Sequence, residues 1–172
     1  MHRIFSIPVI CFFLLLHVLD LTFAPALPFS SARIVFLYLF VLYGAFAWEG
    51  SRAIPLAVIA GLLRDFTSVE YLGLETLSLV AGAILLDWAV HKVDRRSQLI
   101  RGLSAFLFFL GVQILQVCLV SLLSAQGRLN VSAMGMILKT SLWNALVTPV
   151  FFYLSAVWFR DKKPLRQYEL FR

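Results

Sequence analysis

The chain has 172 residues, 61% of them hydrophobic and only 14% charged, with a formal net charge of +6. A soluble domain carries about a quarter charged residues, and the mean hydropathy here is +0.90, so an ordinary soluble fold is excluded in favour of an integral membrane protein. The positive charge does not indicate nucleic acid, because Lys and Arg sit in short loops and tails and form no single basic face.

A hydrocarbon core of roughly 30 Å takes about 20 helical residues per crossing, which allows about six crossings with short loops and leaves little for a second domain. The expected architecture is therefore all-α: a six-helix transmembrane bundle forming one domain over 1–172. Segment one is 4–23. It imitates a signal peptide, but its apolar run exceeds the usual 7–15 residues of a signal core, so it reads as a retained first helix. His17 and Asp20 lie three apart on one helix face. They read either as an interface aspartate with a histidine bonded nearby, or as a proton relay or metal site. Cys11 and Cys118 fall in apolar runs and read as small buried hydrophobes, not as a disulfide or metal pair. Pro25 and Pro28 break the helix in a short loop.

Segment two, 34–48, is led in by Arg33 and ends on Trp48, a candidate interface anchor. Segment three, about 52–63, has Ser51 as N-cap and Pro55 in its first turn. At about 12 residues it spans roughly 18 Å, short of a full crossing, before Arg64 and Asp65. Either the charged end lies below the membrane surface in a protein-lined cavity or the bilayer thins there, and the expectation is that Asp65 lies in a protein-lined recess facing outward. Segment four, 72–90, begins with Gly73 and Glu75 and ends with Asp87, Trp88 and His91, the last forming a helix-end pair with Asp87. A charge run follows: Lys92, Asp94, Arg95, Arg96 and Arg101. Segment five, 103–123, carries Gln113 and Gln116, both able to bond a neighbouring helix. Segment six, 134–159, contains Asn144, Pro149 and Trp158, and a basic tail fills 160–172.

Alternating the six segments from a cytoplasmic start places eleven Lys and Arg residues on the cytoplasmic side. Four lie opposite: Arg33, Arg64, Arg128 and Lys139. That bias puts both termini in the cytoplasm and collects Trp48, Trp88 and Trp158 at that interface.

The stretch 60–82 organises the rest, because it sets Arg64, Asp65, Glu70 and Glu75 among three glycines between membrane-grade segments. Charges so placed need an interface, an aqueous cavity or a partner. The plain reading is a tight turn: Gly61 permits close helix approach, Gly73 lets the chain re-enter, and Asp65 caps the turn. The functional reading adds a docking surface near Asp65 and Glu75. On that reading Asp65→Ala harms function more than folding, and Gly73→Leu pushes two backbones apart. No phosphate-binding G-x-x-x-x-G-K-[ST] loop, H-E-x-x-H or G-x-S-x-G is present, so neither ATP hydrolysis nor a recognisable hydrolytic centre is expected, and no cofactor.

The run 61–77, G-L-L-R-D-F-T-S-V-E-Y-L-G-L-E-T-L, resembles the rod shape-determining protein MreD family, which carries a G-L-x-x-D turn, a spacer, and L-G at the start of the next helix. The match falls on Gly61, Leu62, Asp65, Leu72 and Gly73. The segment Asn144-Ala-Leu-Val-Thr-Pro149 resembles the family's Asn followed by a helix-kinking Pro. The resemblance implies a non-enzymatic subunit of the bacterial cell-wall elongation machinery in the inner membrane. Such a subunit binds MreC and acts with RodA, the class B transpeptidase and MreB filaments in lateral peptidoglycan synthesis. It also implies a fold like that of the substrate-binding subunits of energy-coupling-factor vitamin transporters, which supplies the alternative function. Those subunits usually carry small residues at four-residue spacing in the first helix, and 4–23 holds no Ala or Gly.

Overall fold

A helix that is hydrophobic all round has no face for water and is buried by its neighbours or by lipid. The run F-L-Y-L-F-V-L-Y-G-A-F-A is such a helix, and the fold is arranged about it. The computed structural model describes residues 7–23, 33–48, 53–68, 72–92, 97–123 and 131–159. Among them the chain forms six helices and no strand: α1 (Ile7–Phe23), α2 (Phe36–Ala47), α3 (Ala53–Thr67), α4 (Leu74–Val90), α5 (Gln98–Leu123) and α6 (Val131–Trp158). Ten consecutive residues of α2, from Leu37 to Phe46, are buried, and α2 touches each of the other five helices.

The helices alternate in direction. Phe12 packs on Phe40, while Asp20, further along α1, bonds the start of α2, so these two are antiparallel. Tyr38 near the start of α2 meets Arg64 near the end of α3 and Glu75 near the start of α4. Gln116, late in α5, reaches the same tyrosine. Asn144 and Phe152 of α6 meet Val35 and Tyr43 respectively, so α6 runs parallel to α2.

One end of the bundle is aromatic. Phe40, Tyr43, Trp48 and Phe159 pack with ring centroids 5.7–6.3 Å apart, and Phe12 joins them from α1. Trp48 is thus half-buried in a ring cluster, whereas Trp88 and Trp158 are exposed as an interface anchor requires. Outward, α5 and α6 present Leu103, Leu107, Leu122, Leu142, Leu146 and Leu154 to the surroundings. By length and composition these two helices, over Leu99–Leu123 and Met134–Trp158, are long and apolar enough to cross a membrane.

Several boundaries differ from the sequence reading. The third helix runs one turn beyond Leu63, to Thr67, so Arg64 and Asp65 are helical and do not form a turn. They stay in the helix because their partners lie on α4, and at 15 residues α3 still spans only about 22 Å. α5 starts at Gln98, ahead of 103, and α6 at Val131, ahead of 134, since hydropathy marks where the oily stretch begins and not where backbone hydrogen bonding does. Cys11 and Cys118 are free but exposed, not buried; among apolar surroundings a thiol has no need of a core. His91 does pair with its helix end, its Nδ1 2.6 Å from the Asp87 carbonyl oxygen. The Pro25–Pro28 loop, the Ser51 cap, Glu70, the charge run at 94–96, the loop at 126–130 and the basic tail lie outside the described residues.

Candidate functional site

The first turn of a helix leaves backbone N–H groups without intrahelical partners, and a side-chain oxygen normally satisfies them. α4 begins after Gly73, whose φ of 89° is left-handed and whose residue type has no side chain to cap with. The cap comes from the preceding helix. Asp65 accepts hydrogen bonds from the N–H of Glu75 at 3.0 Å and of Thr76 at 3.1 Å, and from the Thr76 hydroxyl. Both carboxylate oxygens are engaged, and Asp65 is 4% exposed. Four residues earlier on the same face, Gly61 lets α3 close onto α4: a Cβ there would collide with the Thr76 backbone. Gly61, Asp65 and Gly73 thus form one device that fixes α4 against α3.

This revises two expectations. Asp65 is a buried cap and not an exposed docking group, so its loss is expected to strike folding first. Gly73 does not separate two backbones, because nothing lies within 4 Å of a Cβ built on it. Its requirement is the positive φ, a region L-residues rarely adopt.

Arg64, next to Asp65, points to another side. Its Nε donates to Glu75 Oε2 at 2.7 Å and its Nη2 to Oε1 at 3.3 Å. The Tyr38 hydroxyl donates to the same Oε2, Gln116 Nε2 donates to the Tyr38 oxygen at 3.3 Å, and the guanidinium lies 5.1 Å from the Tyr38 ring centre. One polar network therefore ties α2, α3, α4 and α5 together. Charges within an apolar bundle are tolerated when paired in this way.

A second trans-cap holds α2. Val35, at its N-cap position, offers no capping side chain. Asp20 of α1 accepts from the N–H of Phe36 at 2.7 Å and of Leu37 at 3.2 Å. Fully buried Asn144 adds a latch from α6: its Oδ1 accepts from Val35 N–H at 3.0 Å and its Nδ2 donates to the Arg33 carbonyl at 2.9 Å. Asp20 is thus a cap, and His17 does not bond it; the His17 Nδ1 is buried with no hydrogen-bond partner among the described residues.

Between these two caps opens a recess of about 450 Å³, lined by residues that include His17, Asp20, Arg33, Arg64, Ser68 and Glu75. The remaining candidates stand apart from it. Leu62 and Leu72 face outward, 45% and 79% exposed, and Pro149 borders a smaller cavity of about 210 Å³ with Arg101 and Phe152. Among the described residues no group of three or more His, Cys, Asp or Glu side chains could hold a metal ion. Sequence reasoning missed Tyr38 altogether. Its signal was a phenol hydroxyl in an otherwise oily run, which demands a partner once buried. Arg64 was noted among the charges of the stretch but not assigned to the site, and Thr76 was not singled out.

Residues 1–158 match the family model described as rod shape-determining protein MreD. Neither a curated protein nor a solved structure matches the chain.

Proposed function

The chain belongs to the MreD family, a membrane protein family that determines rod shape, and from that premise we propose that it is a non-catalytic subunit of the bacterial cell-wall elongation complex. In this reading it sits in the inner membrane, crosses it with all six helices, and keeps both termini in the cytoplasm. It binds MreC directly and meets RodA, the class B transpeptidase and MreB through the complex. The observation that carries the reading is the use made of the family-like residues. Gly61, Asp65 and Gly73 hold α3 to α4, and Glu75 is taken up by Arg64 and Tyr38. Both carboxylates spend their oxygens on donors within the bundle, which supports a structural role for them. The alternating helix directions and the eleven-to-four division of basic residues support the topology.

The test is depletion in a rod-shaped host combined with purification from native membranes. Depleted cells should round up while wall precursors are still made and flipped, and the purified chain should bring down a single-pass periplasmic coiled-coil protein. Cells that keep their shape, with no such partner, contradict the proposal. For the topology, alkaline phosphatase fused after Arg172 should be inactive and fused near Gln126 active; the reverse pattern overturns it.

A further inference from the structure

The recess between the two trans-caps has an imbalance of donors over acceptors. Both oxygens of Asp20 already accept from Phe36 and Leu37 N–H, and both oxygens of Glu75 accept from Arg64 and Tyr38. The charge of Asp20 is met by the start of α2 and that of Glu75 by Arg64. What remains unmatched is basic. Arg64 uses Nε and Nη2 on Glu75, and its Nη1 makes no hydrogen bond among the described residues. Arg33 is exposed at the rim and its guanidinium has no hydrogen-bond or ion-pair partner among the described residues. The His17 imidazole lines the recess, and its buried Nδ1 has no hydrogen-bond partner among the described residues.

We propose that this recess binds a phosphoryl anion, held by the guanidinium groups of Arg33 and Arg64 with the imidazole of His17. The three donors come from three elements: α1, the segment leading into α2, and the last turn of α3. A phosphoryl group offers three terminal oxygens, one for each, where a carboxylate offers two, and guanidinium geometry suits phosphate oxygens. A cavity of about 450 Å³ lies within the ordinary range for a small ligand or headgroup. The helix N-termini are not the binding element, because Asp20 and Asp65 already occupy them. The phosphoryl group belongs either to a membrane lipid headgroup or to a soluble phosphate, and the chemistry of the recess is the same for both. This goes beyond the assembly role proposed above and does not depend on it.

The experiment uses the purified full chain in two arms. In the first, protein in a phosphorus-free detergent is titrated with inorganic phosphate and pyrophosphate while its thermal unfolding midpoint is followed. In the second, protein taken from vesicles of mixed phosphatidic acid, whose phosphomonoester has three terminal oxygens, and phosphatidylcholine is examined by native mass spectrometry for retained phosphatidic acid. Each arm compares the wild type with Arg33→Gln, His17→Ala and, as a control for general surface charge, Lys139→Gln on the exposed face of α6. Arg33→Gln removes an exposed, unbonded side chain, so its midpoint without ligand should equal that of the wild type.

The expected result is binding in at least one arm, weakened roughly tenfold by Arg33→Gln, as befits loss of one charge-assisted contact, weakened also by His17→Ala, and unchanged by Lys139→Gln. Retained lipid with inert phosphate assigns the site to a headgroup, and a midpoint raised by phosphate without retained lipid assigns it to a soluble anion. No binding in either arm overturns the proposal. So does binding that Arg33→Gln leaves intact, or that Lys139→Gln weakens equally.

Discussion

Two corners of the bundle start a helix under the same constraint. α2 and α4 both begin with no side-chain cap of their own, and each takes its cap from an aspartate in the last turn of the helix before it. At the α3–α4 corner, Asp65 reaches an N–H ten residues on, and Gly61 and Gly73 close the hairpin. At the α1–α2 corner, Asp20 reaches across sixteen residues, and Asn144 of α6 is needed to hold the incoming strand of chain. A short connection lets one carboxylate define the corner locally. A longer one leaves more backbone N–H and C=O groups to satisfy, and a distant helix supplies the partner. The difference in burial follows: Asp65 is sealed between two helices, whereas Asp20 borders the recess, where water can replace it.

The most severe way to break this comparison is Asp65→Ala. It strands three partly buried donors, each costing about 1–3 kcal/mol when unpaired, so a loss of about 3 kcal/mol is expected, read as a large fall in thermal midpoint in detergent. Gly61→Ala comes next, at about 2 kcal/mol, because the added methyl meets the Thr76 backbone. Its partner experiment sharpens the point. Gly73→Ala and Gly73→Leu should each cost only about 1–2 kcal/mol and nearly the same amount, since the penalty is the left-handed φ and there is open space around the position. If Leu proves far worse than Ala there, a packed neighbour must exist. The mildest effect belongs to Asp20→Ala, at about 1 kcal/mol, the ordinary value for a lost cap that water can partly replace.

The same contrast explains what the sequence disclosed. The α3–α4 corner was largely legible, because Gly61, Asp65 and Gly73 fall within one short stretch and their residue types announce close approach, a cap and the re-entry of the chain, while the positive φ of Gly73 came only with the structure. Even there, the end of α3 was misplaced, since a hydropathy reading treats Arg64 and Asp65 as loop when they are helical residues with partners across the hairpin. The α1–α2 corner was not legible. Asp20 was noticed only beside His17, and nothing local connects it with Phe36 or Asn144 with Val35, 109 residues apart. Tyr38 escaped notice because nine other buried residues make its helix read as pure core, although the hydroxyl is what joins α5 to the Arg64–Glu75 pair. Six apolar segments and their alternation were readable from periodicity and charge alone, whereas the polar recess exists only once four helix ends are brought together.

The account rests on Asp65 being the cap of α4 and not an exposed docking group, and site-resolved amide hydrogen exchange tests that most directly. The Glu75 and Thr76 amides should be strongly protected in the wild-type chain in detergent. In Asp65→Ala protection there should collapse, while the middle of α2 stays protected under conditions where the variant remains folded. Unchanged protection at Glu75 and Thr76, with an unchanged thermal midpoint but lost partner binding, would contradict it.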